Sequence, residues 1–400
     1  MARKPEVSVD PARDAASVLR RLGFLTLMVG LPVSGLAGRT APVFVVAIGI
    51  ALVASAAFFD RAVRPPGRVV LELSGSPVVW ALAVLAGWAL LSVIWAPAPA
   101  PAASLWLGAV ATGIAGLAGL FALPDRMRAA NLYPAPIGVG IGVVAAIVFA
   151  VTAGGTDPDA SQRLSRCLSI LVLVLWPAVG WLRSRGRDIE ALVLAVGTGI
   201  AASLGPSLAP ILALAVGTFA YLIAHLAPRV GVVAVGAACG FLVLLAPVLV
   251  ATGGPIAASW LPAAPAAALE AWRPMIVAEP LRWFTGHGLA SHPVRGVGVM
   301  SPATASVLGF WYELGLVGAV AVAVAAVAGL RGAHPRFGPL LPAFSAAVAT
   351  GFALSAAGTE RGAAWPSAVV AAVLVFVAAE RGQFRTRRPR LIRLGRSRAA

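Results

Sequence analysis

Two histidines and three arginines crowd into one polar stretch of an otherwise apolar chain. The segment "AWRPMIVAEPLRWFTGHGLASHPVRG", residues 271–296, carries His287 and His292 together with Arg273, Arg282 and Arg295. Imidazole titrates near neutral pH and can take up or return a proton. A guanidinium offers a planar fork of donors that matches phosphate oxygens. The combination suits a group transfer in which an anionic leaving group needs fixed cations around it. Two more arginines, Arg163 and Arg166, open an apolar run at "SQRLSRCLS", and Glu313 stands inside "FWYELGLVG". Each has a plainer alternative. The histidines can be solvated loop residues, Arg166 can snorkel to mark a helix end, and Arg163 can pair with Asp157 or Asp159. His292 precedes a proline and is expected to be extended.

Other chemistries find little footing. The acidic pair of "DPD", 157–159, has no visible third ligand, so no metal is expected. Cys167 and Cys239 lie in or beside apolar runs without CxxC or Cys/His spacing, which indicates neither a disulfide framework nor a structural zinc. No HExxH, GxSxG or Walker pattern occurs, and glycine runs such as "GVGIGVV" lack the strand-turn-helix setting of a nucleotide loop.

The elements that position these residues must be membrane helices. Of 400 residues, 60% are hydrophobic and 12% charged, about half the charged share of a soluble domain. Mean hydropathy is +0.91. Apolar runs of roughly 17–25 residues, enough to cross about 30 Å of hydrocarbon, recur along the chain. They predict an all-α polytopic membrane protein with about twelve transmembrane helices, near 22–38, 41–59, 78–96, 104–123, 134–153, 166–183, 189–204, 207–227, 230–251, 304–330, 338–357 and 362–380. The seventh and eighth meet at "SLGPSLAP" and can be read as one broken element. The polar first twenty or so residues carry no compact cleavable signal, so the first span is expected to stay uncleaved.

Charge assigns the sides. The net charge of +16 invites a nucleic-acid reading, but the basic residues sit in short clusters between apolar runs, which is how membrane proteins encode orientation. Nucleic acid is therefore not an expected partner. With both termini cytoplasmic, all but seven of the 31 basic residues fall inside. The exceptions are Arg39, Arg163, Arg166, Arg273, Arg282, Arg295 and Arg361. Inside arginines are explained by topology, whereas outside ones need another reason to be kept. The resulting organisation is a cytoplasmic segment 1–21, nine spans over 22–251, a long periplasmic loop 252–303 between the ninth and tenth spans, three spans over 304–380, and a basic cytoplasmic tail 381–400. The tail would be drawn to anionic lipid, but a plain topology anchor is the preferred reading of it. No internal repeat or pair of matching broken helices appears, which argues against an inverted-repeat transporter. Glu313, deep in the tenth span, requires a partner or a polar cavity, and Arg166 is one candidate.

Four stretches, in order, resemble the O-antigen ligase and polymerase superfamily of bacterial envelope glycosyltransferases. "ALLSVIWAPAPAPAASL" is similar to that family's Ser-x-x-Trp run with a proline-rich outer loop. "LSRCLSILVLVLWPAVGWL" is similar to its Asn-Arg start followed by Trp-Pro, with Arg166 at the arginine, Trp176 and Pro177 at the pair, and Ser165 at the asparagine. "AWRPMIVAEPLRWFTGHGLAS" resembles its Trp, Glu-x-Pro and Gly-x-Gly segment, and "FWYELGLVGAV" its Glu-Leu-Gly-x-x-Gly signature. The resemblance implies transfer of a glycan from an undecaprenyl-diphosphate carrier to a lipid or glycan acceptor, at the periplasmic face of the bacterial inner membrane. It implies no cofactor and no metal. Its implied diphosphate-binding residues are Arg166 first, with Arg163, Arg273, Arg282 and Arg295. The chain departs from the family at two places. Thr304 stands where the family keeps its catalytic histidine, nine residues before Glu313, and "PAAALEAW" lacks the arginine that precedes the loop tryptophan. His287 and His292 are the replacements for the missing imidazole, with Glu313 as the catalytic carboxylate. Two other classes of function remain open: a non-catalytic homologue that binds lipid-linked glycan or scaffolds envelope assembly, and a membrane transporter or permease.

Overall fold

In hydrocarbon a backbone N–H or C=O has no water to bond, so long apolar runs must close their hydrogen bonds within themselves as helices. The computed structural model describes residues 11–59, 74–125, 129–153, 157–260, 281–291, 306–357 and 364–382, with the single positions 67, 127, 274 and 279. Every element among the described residues is helical. In chain order these are α1 (Pro11–Leu25), α2 (Leu31–Ala37), α3 (Ala41–Phe59), α4 (Pro77–Ser92), α5 (Pro99–Ala122), α6 (Pro134–Thr152) and α7 (Pro158–Ser184). There follow α8 (Asp188–Ser203), α9 (Ala209–Leu226), α10 (Pro228–Trp260), the short α11 (Arg282–Thr285), α12 (Ser306–Phe337), α13 (Leu341–Ala357) and α14 (Ala364–Arg381), with brief 3-10 turns between some of them. Nine described segments are long and apolar enough to cross a membrane, and the last of these, Val307–Ala356, contains both α12 and α13. The chain is a multi-pass membrane protein.

Helix ends differ from the hydropathy boundaries for local chemical reasons. The chain is already helical at Pro11, well before the apolar run at residue 22. The alanines and leucines that follow are good helix formers. α1 and α2 are one rod joined by a wide π turn at Thr26–Gly30. Pro32 explains the widening: it offers no N–H to the Met28 carbonyl, and its ring would press on that oxygen in a regular α turn. α7 starts at Pro158 rather than near residue 166. The Asp157 side chain caps it by accepting from the Asp159 backbone N–H at 2.9 Å. α8 and α9 are separate helices, split at 204–208 around Pro206. α10 continues to Trp260, into the stretch expected to be loop.

α7 is the axis of the bundle. From Arg166 to Leu182 nearly every residue is buried, as expected of a helix apolar on all sides and surrounded by others. It packs on α2, α6, α8, α13 and α14. The approach to α2 is close because Gly35 has no side chain; a Cβ there would lie 2.8 Å from the Cys167 Cα. The peripheral helices instead show large apolar residues outward, among them Phe44, Trp80, Leu107 and Phe219, as surfaces facing lipid do.

Cross-helix hydrogen bonds tie the helix termini into two groups. At one end Arg185 Nη2 donates to the Gly382 carbonyl (2.9 Å), Arg381 Nη1 to the Leu123 carbonyl (2.6 Å), and Arg21 Nε to Asn131 Oδ1 (3.1 Å). The first two join the ends of α7, α14 and α5, and the third ties α1 to the segment before α6. At the other end the Leu289 N–H donates to Ser92 Oγ (3.2 Å), joining the end of α4 to the segment 281–291. α5, with 24 residues, separates the two groups by about 36 Å at 1.5 Å per residue. Because α7 finishes at the first end, Arg163 and Arg166 on its opening turns lie at the second, with the segment that carries His287.

Candidate functional site

α12 does not run straight. At Gly315 the backbone takes φ 61° and ψ −159°, outside helical geometry. Such a break deprives the preceding carbonyls of their usual N–H donors four residues on, and a buried carbonyl needs another. Three outside donors supply them. The His287 N–H donates to the Tyr312 carbonyl (2.8 Å) and the Gly288 N–H to the Glu313 carbonyl (3.0 Å). Trp88 Nε1, from α4, donates to the Leu314 carbonyl (2.9 Å). The broken turn and the segment 281–291 are thus two halves of one hydrogen-bonded unit.

Glycine makes that contact possible. Gly286 and Gly288 have φ of 73° and 94°, where a side chain is strained. A Cβ on Gly286 would overlap the Glu313 carbonyl, and one on Gly288 would lie 2.6 Å from the Ala96 Cα. The Gly-x-Gly therefore wedges its backbone between α12 and the end of α4. Ser92, fully buried, closes the third side through its bond from Leu289.

The side chains above this scaffold form a compact polar group. The His287 ring stacks on Tyr312, with centroids 3.9 Å apart and planes 8° from parallel. His287 Nδ1 lies 3.2 Å from the Tyr312 carbonyl. A carbonyl only accepts, so the proton of neutral His287 sits on Nδ1 and the lone pair on Nε2. Nε2 is 3.5 Å from Glu279 Oε2, and Arg282 Nε approaches the same oxygen at 3.5 Å. Beneath them Glu313 is 7% exposed, and its carboxylate receives a hydrogen bond from the Ala290 backbone N–H. Ala290 has φ 61°, the one positive value off glycine among the described residues. Strain of this kind, roughly 1–3 kcal/mol, persists only where neighbouring contacts over-determine the backbone.

His287, Arg282 and Glu313 are therefore brought together. Arg163 is exposed and Arg166 only 9% exposed, both on α7 at the same end of the bundle. α7 and α12 share α13 as a common packing neighbour. One partner of Glu313 is the backbone of Ala290. His292, Arg273, Arg295 and Thr304 lie outside the described residues. Asp157 is a helix cap, and no cluster of three metal-ligating side chains occurs among the described residues. His225 stacks on Tyr221 at the opposite end of the bundle, away from this site.

Four contributors escaped the sequence reading: Glu279, Tyr312, Trp88 and Ser92. Glu279 and Ser92 did stand in the motif stretches, as the Glu directly before Pro280 and the Ser of Ser-x-x-Trp. Nothing local distinguishes Trp88, whose acceptor is 226 residues away. Neither a known protein family nor a characterised protein matches the chain.

Proposed function

We propose that the chain is an O-antigen ligase-like membrane glycosyltransferase of the bacterial inner membrane, with twelve spans, cytoplasmic termini and the 281–291 segment on the periplasmic side. It would move a glycan from undecaprenyl diphosphate to a lipid or glycan acceptor. The observation that carries this reading is the His287–Glu279–Arg282 group held over Glu313 by the Gly-x-Gly backbone. The four-part motif resemblance and the outward-lying arginines support it.

In this reaction the acceptor hydroxyl oxygen bonds to the anomeric carbon of the carrier-linked sugar while that carbon's bond to the diphosphate oxygen breaks. The acceptor proton passes to His287 Nε2, whose lone pair the Nδ1–H bond to Tyr312 leaves available. The imidazolium so formed gains an ion pair with Glu279. The diphosphate departs as an anion beside Arg282, with Arg166 and Arg163 at the same end and Arg273 and Arg295 in the same stretch of chain. Glu313 fixes the loop through Ala290 and supplies a carboxylate beneath the acceptor.

The test is a glycolipid profile of a strain lacking the chain, complemented by variants expressed to equal levels. Wild type should restore the surface glycan. His287→Ala should lower transfer about a hundredfold or more, the usual worth of a positioned base, and Arg282→Ala should lower it as well. Full restoration by both variants sinks the enzymatic reading and favours a binding or scaffolding role. Glycan that is completed but held at the inner face would point to transport instead.

A further inference from the structure

The end of the bundle opposite this site holds a second constellation, built by arginine and aromatic side chains. Arg187 lies over the Tyr133 ring, Cζ to centroid 5.8 Å, and Arg185 over the Trp181 ring at 5.9 Å. The two rings meet edge to face at 5.0 Å. Arg21 joins the group through Asn131, two residues before Tyr133. We propose that Arg21, Arg185 and Arg187 bind the phosphate of an anionic phospholipid headgroup at the Tyr133–Trp181 corner.

The first argument is charge. Among the described residues, the partners of these guanidinium groups are all neutral: the Asn131 amide oxygen, the Gly382 carbonyl and two ring faces. A neighbouring carboxylate, Asp188, is taken by Arg183 at 2.8 Å. Three like charges gathered without a counter-ion among the described residues repel one another, and an anion between them removes that repulsion. A guanidinium has five N–H donors. The contacts described occupy one on Arg21 and one on Arg185, while stacking on Tyr133 leaves the N–H edge of Arg187 open. The aromatic faces also fix two of the cations in place, so little freedom is lost when phosphate arrives.

The second argument selects a lipid over free phosphate. Tyr133 is 44% exposed at the mouth of α6, and from it Ile137, Ile141 and Val144 run along one outward face at helical spacing. α8, which packs on α6, shows Ile189, Leu192 and Val196 outward in the same way. The cationic corner therefore opens onto two apolar stripes that can receive acyl chains. Tyrosine and tryptophan at the head of such stripes belong to the level of the headgroups, and anionic lipids are enriched in the leaflet that attracts basic termini. The proposal does not depend on glycan transfer.

The full chain, purified in neutral detergent and stripped of lipid, is titrated with phosphatidylglycerol, phosphatidylcholine and inorganic phosphate in parallel. Retained lipid is counted by native mass spectrometry, and the thermal midpoint is followed. Phosphatidylglycerol should be retained and should raise the midpoint, while the other two should not. Arg187→Gln should weaken retention about fivefold and Arg185→Gln/Arg187→Gln about twenty-fivefold, from the usual contribution of one arginine near an anionic surface. Arg336→Gln, exposed at the end of α12, should change nothing. If loss of the Gly382 contact unfolds the Arg185 variant, Arg187→Gln alone carries the test, since its described contact is a ring face only. Equal retention of phosphatidylcholine, undiminished retention by Arg187→Gln, or a full midpoint shift with inorganic phosphate alone would each overturn the proposal.

Discussion

Replacing Gly286 by alanine tests whether the Gly-x-Gly backbone holds the site together. At φ 73° and ψ 175° the residue occupies a region almost reserved for glycine, where an alanine costs about 1–3 kcal/mol. Its Cβ would also overlap the Glu313 carbonyl, so the segment must move away from α12. That movement breaks the bonds from His287 N–H to Tyr312 and from Gly288 N–H to Glu313, each worth about 0.5–1.5 kcal/mol net. The total is about 2–6 kcal/mol. It falls on a peripheral segment rather than on the α7-centred core, so the expected result is local detachment with little change in the global thermal midpoint.

Thiol labelling reads that detachment directly. Ser291 is 8% exposed at the end of the segment, and both native cysteines are buried, so Ser291→Cys provides a reporter with a quiet background. In the Ser291→Cys chain a polar maleimide should react slowly. Adding Gly286→Ala should raise the rate at least about thirtyfold, the equivalent of the lower figure of 2 kcal/mol. Gly113→Ala, a helical position with open space around the added methyl, should leave the rate unchanged. Equal rates with and without Gly286→Ala would refute the claim that this backbone wedge holds the segment on α12.

Two further substitutions probe the scaffold. Trp176 Nε1 donates to Thr350 Oγ1 at 2.7 Å inside the bundle, so Thr350→Val should strand a buried donor and cost about 1–3 kcal/mol, read as a lower thermal midpoint in detergent, with Thr350→Ser recovering most of it. Asp157→Ala removes the α7 cap and should cost about 1 kcal/mol; hydrogen exchange at residues 159–162 should quicken, and Asp157→Asn should restore protection.

Much of the helical architecture was legible because hydrocarbon leaves a long apolar run one economical conformation. Among the described residues a helix lies in every range that hydropathy picked out, and nine segments are long and apolar enough to cross a membrane. Their ends were less legible, because hydropathy registers where lipid begins while a helix begins where its first N–H groups find partners. Asp157 and Pro158 start α7 two turns before the apolar run, and α1 is already helical at Pro11, three turns before its own. The axial role of α7 was also hidden. Its residues are no more apolar than those of α3 or α6, and burial within protein rather than in lipid is decided by neighbours that sequence does not order.

The site shows the same division more sharply. His287, Arg282 and Glu313 could be chosen by residue type, since ionisable groups are expensive in or beside a membrane and need a reason to persist. What makes them a site is the break at Gly315, and nothing in a chain of 43 glycines marks which one will interrupt a helix. The break is stable only because Trp88, His287 and Gly288 bring donors to the three carbonyls it exposes. Those donors are in place only if α4 and the 281–291 segment have already docked. Docking, breakage and assembly of the polar group are thus one cooperative event, and each element depends on the others. Substitutions far apart in sequence, at Trp88, at Gly286 or at Gly315, should therefore produce one shared defect: loss of the segment's protection with the rest of the bundle intact. A defect confined to the substituted element would mean that the helix breaks at Gly315 on its own, and that the loop merely settles onto it.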